Sequence, residues 1–272
     1  MKYIFKLFSF KYLSNFFRTD ILFKKYGKTE AVNGLNLSVP KGSVFGFLGR
    51  NGAGKTSLLN CIDHFYHPTS GRILYKGRNL LELTAHEIAR LGVGRTFQNI
   101  ELFRGMTVLD NIKLGRNVHY RTGVLAALAY WGRARDEDLR QRAWIEREGI
   151  DLLEIEDIRD ELVGNLPYGL QKRVELGRAL AMQPDLLLLD EPTAGMNVEE
   201  TEDMVRFVLE VRATWGTTIL MIEHDMNVVM DISTRIAVLD FGKKIAEGTP
   251  AEVQRNERVV EAYLGAPAVE SR

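Results

Sequence analysis

The stretch Gly49-Arg50-Asn51-Gly52-Ala53-Gly54-Lys55-Thr56-Ser57 crowds three glycines, a lysine and two hydroxyls behind the apolar run Val44 to Leu48. Gly49, Gly54, Lys55 and Thr56 satisfy the pattern G-x-x-x-x-G-K-[ST], a phosphate-binding loop when it joins a strand to a helix. The physical need is plain. Successive main-chain N–H groups turn inward around phosphate oxygens, where side chains would obstruct, and the helix N-terminus adds its partial positive charge. Lys55 then reaches the β- and γ-phosphates, and the Thr56 hydroxyl supplies a position on Mg2+. The plainer alternative is a glycine turn before a helix with a solvated lysine. It leaves the strand, loop and helix order unexplained.

A second stretch supplies carboxylates. Leu186 to Leu189 is an apolar run ending in Asp190 and Glu191. A strand buried on both faces delivers Asp190 to its C-terminal edge, where open α/β sheets bind ligands and where Mg2+ is held directly or through water. Glu191, one residue further on, is placed to polarise an attacking water. His224 follows the run Thr218 to Glu223 and is expected at the same sheet edge. A lone histidine there is more often structural, and only its company with the other motifs reverses that reading.

These residues need a scaffold, and the chain is long enough to provide one. It has 272 residues, 45% hydrophobic and 26% charged, which suits a globular domain with a subdomain. Thirty-six basic residues balance thirty-six acidic ones, so no global field points to nucleic acid or an anionic membrane. Cys61 is the single cysteine, so no intramolecular disulfide forms and nothing argues for an oxidising compartment. The longest apolar run, Val124 to Trp131, falls far short of the roughly 20 residues of a membrane-spanning helix. Lys2, Lys6 and Lys11 interrupt the aromatic N-terminus, which argues against a signal peptide. An interfacial segment and an unstructured extension both fit it.

Alternation from Leu35 to Val39, then Pro40-Lys41-Gly42, predicts a strand and a turn; Val44 to Leu48 predicts a buried strand. Leu58, Leu59 and Ile62 predict a helix over 54–62. From Asn99 to about Gly164 the pattern is helical and polar, and strands return at Leu186–Leu189, Thr218–Ile222 and Ile236–Leu239. This is a helical insertion in an α/β sheet protein. Asn197-Val198-Glu199-Glu200 reads as a capping box, with Met204, Phe207, Val208 and Val211 at helical spacing behind it. Residues 265–272 read as a frayed tail.

On these residues the chain resembles the nucleotide-binding subunits of ABC transporters, over roughly Leu22 to Gly265. Tyr26 in FKKYGK matches the family's adenine-stacking aromatic, Gln98 in RTFQN its Q-loop, LDEP at Leu189–Pro192 its Walker B strand, AGMN at Ala194–Asn197 its D-loop and His224 its switch histidine. The resemblance implies a P-loop NTPase, RecA-like α/β core with an antiparallel β edge and an inserted α-helical subdomain. Residues 1–20 are then an N-terminal extension, 21–265 the cassette and 266–272 a tail. Within the cassette the core is 21–97 and 172–250, the helical subdomain about 98–171, and the C-terminal helix 251–265.

The resemblance further implies ATP and Mg2+, with Lys55, Glu191 and His224 catalytic and Thr56, Gln98 and Asp190 on the metal. Tyr26, residues 49–57, Gln98, Tyr168, Gly169 and His224 would contact nucleotide, Tyr168 and Gly169 acting on the partner's site. Leu166-Pro167-Tyr168-Gly169-Leu170-Gln171 stands where the family has L-S-G-G-Q, so the serine hydroxyl is lost to Pro167. The tyrosine-glycine pair with K-R-V-E-L, FQNIELF-x-x-MTVLDNI, the stretch near Val124 to Asp138, IEHDM and the ending AYLG resemble the branched-chain amino acid importers. Departures are Arg50 in place of proline, Asp63-His64 in place of a small or glycine pair, and AVNGLNLSVPKGSVFGFLG, which is similar to exporter-type cassettes.

The implied partners are two transmembrane permeases, a second ATP-binding subunit that is identical or related, and indirectly an extracytoplasmic solute-binding protein. No nucleic acid is implied, and the implied place is the cytoplasmic face of the inner membrane. A urea, amide or exporter-type system is the alternative within the family. A soluble, non-transport ABC ATPase suits the length and the lack of heptads poorly, and a metabolic kinase leaves Gln98 and His224 unexplained.

Overall fold

A computed structural model of the protein describes residues 16–120 and 133–264. The apolar run Val124–Trp131, the residues before Phe16, and Gly265 with the tail behind it lie outside the described residues.

The centre is a six-stranded sheet in the order β10-β9-β3-β8-β7-β6. Its strands are β3 (Val44–Gly49), β6 (Val93–Arg95), β7 (Leu186–Asp190), β8 (Thr218–Ile222), β9 (Arg235–Asp240) and β10 (Lys243–Gly248). All pair in parallel except β10, which runs antiparallel on the edge. Every residue of β3, β7 and β8 is buried, as continuous apolar strands covered on both faces should be. Alternation sorts their side chains between two layers. Phe45, Phe47, Leu186, Leu188, Leu220 and Ile222 face one core, and Val44, Leu48, Leu187, Leu189, Ile219 and Met221 face the other.

The first core is closed by helix α1 (Lys55–Ile62) and by an antiparallel sheet in the order β2-β1-β4-β5. That sheet comprises β1 (Phe17–Tyr26), β2 (Thr29–Val39), β4 (Ser70–Tyr75) and β5 (Arg78–Asn79). After it come α2 (Ala85–Arg90) and, beyond β6, α3 (Val108–Gly115), α4 (Arg133–Trp144) and a π-helical turn Ile145–Ile150. The second core is covered by α5 (Tyr168–Leu180), α6 (Val198–Trp215) and α7 (Met226–Ile232), with α3 and the π-helical turn packed against α5.

Three expectations shift. Residues 17–20 are not extension: Phe17 is fully buried and pairs with both Val39 and Tyr75, because its ring completes the first core. The strand read from Leu35 begins at Thr29, since register shifts along β1/β2 and the positive φ of Gly34 break the alternation that marks a strand. The C-terminal helix is two helices, α8 (Pro250–Gln254) and α9 (Glu257–Leu264), because Asn256 interrupts the first and accepts the Arg258 N–H to open the second.

The capping box is present as read. Asn197 accepts from the Glu200 N–H at 2.9 Å, Glu200 accepts from the Asn197 N–H at 3.0 Å, and the buried residues of α6 are Met204, Phe207, Val208 and Val211.

Candidate nucleotide site

The C-terminal edges of β3, β7 and β8 and the N-terminus of α1 converge on one cavity of about 600 Å³. Its walls come from Asn51 to Ser57, Tyr26, Gln98, Glu191 and His224, with Thr29 and Ala31 of β2.

The loop after β3 is shaped by crowding as well as by the need for open N–H groups. Gly54 has φ +94°, and a Cβ there would stand 1.8 Å from the Ala31 carbonyl oxygen; one on Gly49 would stand 2.6 Å from that of Leu239. β2 and β9 press the loop from either side, so no larger residue fits. Lys55 is buried, and its Nζ donates to the carbonyls of Gly49 at 2.5 Å and Arg50 at 3.3 Å. Burial draws its ammonium below the usual lysine value, opposed by the carboxylates of Glu191 and Asp190. Its hydrogen bonds go to neutral carbonyls, so the ammonium can turn to an incoming anion. Gly49 and Arg50 themselves do not line the cavity; Arg50 serves through its carbonyl, which also accepts the Ala53 N–H at 3.0 Å.

β7 carries the acids where its length predicts. Asp190 is 1% exposed, and its Oδ1 accepts the Thr56 hydroxyl at 3.4 Å. Burial pushes this carboxyl above the usual aspartate value, and Arg95 opposes that most strongly. Glu191 breaks out of the strand at φ +52°, in the left-handed region rare for a side chain of its kind. Two donors hold it: Gln98 Nε2 at 3.0 Å and His224 Nε2.

Gln98 and His224 are therefore gathered as expected, but onto Glu191. The Gln98 amide nitrogen meets that carboxylate, and only its oxygen is left for a metal. Thr56 and Asp190 offer oxygen donors on one spot, which suits a hard cation. Among the described residues no cluster of three or more His, Cys, Asp or Glu could hold a metal ion.

Tyr26 stands at the cavity mouth, 40% exposed, with its ring edge-on to Tyr66 at 5.7 Å and the Lys24 ammonium 4.7 Å from its centroid. Tyr168 and Gly169 are not in this cavity. They open α5, where Tyr168 is 44% exposed and packs against Gly195.

Sequence reasoning missed the residues that hold this edge together. Glu223, 3% exposed, accepts from the Thr193 N–H at 2.8 Å, the Thr193 hydroxyl at 2.6 Å and the His224 N–H at 3.0 Å, locking the turn after Glu191 to His224. Lys172 and Glu175 of α5 are buried. Lys172 Nζ donates to the Phe97 and Gln98 carbonyls at 3.2 and 3.0 Å, and Glu175 accepts the Phe97 N–H at 3.2 Å. Charges inside apolar runs were the only available signal, and their partners lie far away in sequence.

Comparison with known proteins follows the same lines. The family model for ABC transporters matches residues 32–194, and that for branched-chain amino acid ATP-binding cassette transporters matches residues 243–269. The chain is 42% identical over 248 residues to the high-affinity branched-chain amino acid transport ATP-binding protein LivG of Escherichia coli, covering 90% of this chain and 95% of that protein. It is 40% identical to the corresponding protein BraF of Pseudomonas aeruginosa, over 89% of this chain and 94% of the relative. Among solved structures, a nucleotide-free ATP-binding cassette from an ABC transporter aligns with a TM-score of 0.79 at 31% identity, covering 92% of this chain and 99% of that one. The ADP conformation of such a cassette aligns at 0.78, also at 31% identity, over 92% and 99%.

Proposed function

The chain belongs to the ABC transporter family of ATP-binding subunits, and from that premise we propose that it powers uptake of branched-chain or other hydrophobic amino acids through separate membrane permeases. The amino acid class is supported by the family match at 243–269 and by relatives that align over nearly their whole length. The observation that carries the ATPase is the Glu191 carboxylate held between Gln98 and His224 beside the loop at Lys55.

The chemistry follows from that placement. ATP enters with its phosphates along Asn51 to Thr56, where loop N–H groups and the α1 N-terminus meet negative charge. Lys55 turns from its carbonyl partners to the β- and γ-phosphates and stabilises the charge spread over the transferring phosphoryl. Glu191 orients a water in line with the γ-phosphorus and takes up its proton. The water oxygen bonds to phosphorus, and the bond to the β-γ bridging oxygen breaks with its electron pair leaving on ADP. His224 and Gln98 hold the base and release it as the site closes. Thr56, Asp190 and the Gln98 oxygen would hold Mg2+, which neutralises phosphate charge when bound.

Tyr168 and Gly169 then serve a second copy or a related subunit across the closed pair. The α5 N-terminus behind Pro167 faces an anion through backbone alone. Two permeases and, indirectly, a solute-binding protein complete the assembly at the cytoplasmic face of the inner membrane. Among the described residues no helix is long and apolar enough to cross a membrane.

The test is uptake of labelled leucine by the complex reconstituted in vesicles with its permeases and binding protein. ATP-driven accumulation is expected, and is lost with Glu191→Gln. Uptake of urea or amides but not leucine, or outward movement only, would remove the amino acid importer reading and leave the ATPase.

A further inference from the structure

Arg95 takes no part in the chemistry above. It ends β6, paired in register with Leu188, so that its side chain emerges beside the end of β7. The side chain is 7% exposed and its guanidinium spans two carboxylates: Nη1 donates to Asp63 Oδ2 at 2.5 Å and Nη2 to Asp190 Oδ2 at 3.0 Å. The Phe97 ring lies against it, 4.9 Å from centroid to Cζ. Its Nε is buried without a partner, so the hydrogen bonds that orient the group are those to the two carboxylates.

We propose that Arg95 is a positioning residue that aims Asp190 at the metal side of the nucleotide site. This rests on the reading of Thr56 and Asp190 as the groups that hold Mg2+. The two Asp190 oxygens are divided: Oδ2 is taken by Arg95, and Oδ1 is left toward Thr56 Oγ1. An aspartate carboxylate turns readily about its last torsion. A planar guanidinium removes that freedom, because its nitrogens sit at fixed angles and its own orientation is set by Asp63 on the far side.

Asp63 is the C-cap of α1, and Thr56 lies in the first turn of the same helix. Both ends of the phosphate-binding helix are thereby referred to one carboxylate at the end of β7. This also gives a purpose to Asp63, which stands where the resembled family has a small residue or glycine.

Lysine at position 95 keeps the charge but, as a point donor, cannot fix both carboxylates in one plane. Charge and aim are thereby separated. The experiment is equilibrium binding of a fluorescent ATP analogue to the purified full chain, with Mg2+ and with EDTA, for wild type, Arg95→Lys and Asp63→Asn, with melting curves alongside. Loss of the group that orients a metal ligand weakens metal-dependent binding by roughly tenfold or more. Arg95→Lys is expected to show that loss with Mg2+ and wild-type affinity in EDTA. Asp63→Asn, which keeps the Arg95 to Asp190 bond but frees its far anchor, is expected to show a smaller loss in the same sense.

Unchanged or tighter binding with Mg2+ in Arg95→Lys, or an equal loss with and without Mg2+, overturns the proposal. If that variant does not fold, Asp63→Asn decides by the same criteria. A wild-type affinity indifferent to Mg2+ would sink the reading of the metal groups, and the proposal with it. Failure to bind the analogue at all would sink the nucleotide site.

Discussion

Lys55 and Glu191 stand about one cavity with distinct tasks, so their losses should be separable. Lys55→Ala removes the buried cation that on the proposed function meets phosphate, and charge-assisted bonds of this kind are worth roughly 1.5–3 kcal/mol. Nucleotide affinity, read by fluorescence titration, is expected to fall about tenfold or more. Glu191→Gln leaves the cradle whole and removes the base, so affinity should hold while turnover in the assembled complex drops by roughly 10²–10⁴-fold. Phosphate release at an undiminished rate would remove Glu191 from its role.

At the scale of elements, the decisive feature is that parallel strands end where loops must act. β3 ends in the phosphate loop, β7 in Asp190 and β8 one step before Glu223 and His224. Helix α6 carries the chain from the turn after Glu191 back to β8, and its start is defined by the reciprocal Asn197 and Glu200 bonds. Asn197→Ala should cost about 1 kcal/mol, visible as a lowered denaturant midpoint at unchanged slope. A wild-type midpoint would mean the cap does not set that boundary. Helix α5 joins two duties, because Tyr168 opens it while Lys172 and Glu175 clasp the backbone at Phe97 and Gln98. Gln98 thus cannot shift far without the helix that presents Tyr168.

For the whole molecule, the cavity contains one half of what the family resemblance assigns to a nucleotide. Tyr168 and Gly169 sit at the start of α5, away from the cavity walls, so on the proposed function a second subunit brings its own. The purified Glu191→Gln protein is expected to run as a monomer without nucleotide and as a dimer with Mg-ATP, by light scattering. A monomer at saturating Mg-ATP would show that this chain needs a different partner or its permeases to pair.

Much of this was legible in the sequence because it is local. Gly49 to Ser57 declares itself by spacing, β7 by an unbroken leucine run before Asp190, and α6 by its cap and period. These are patterns that neighbouring residues enforce on each other through backbone sterics and burial. Other features depended on the tertiary fold. That Phe17 belongs to a sheet, that Gly54 must be bare because Ala31 crowds it, and that Gln98 and His224 meet on Glu191 all depend on segments far apart in the chain. So does Arg95, an unremarkable arginine in sequence, which becomes a bridge between the buried Asp190 and the partly exposed Asp63 only when β6 lies beside β7. Periodicity carries information over a turn or a strand; the pairing of buried charges is decided by which strands and helices the packed core brings together.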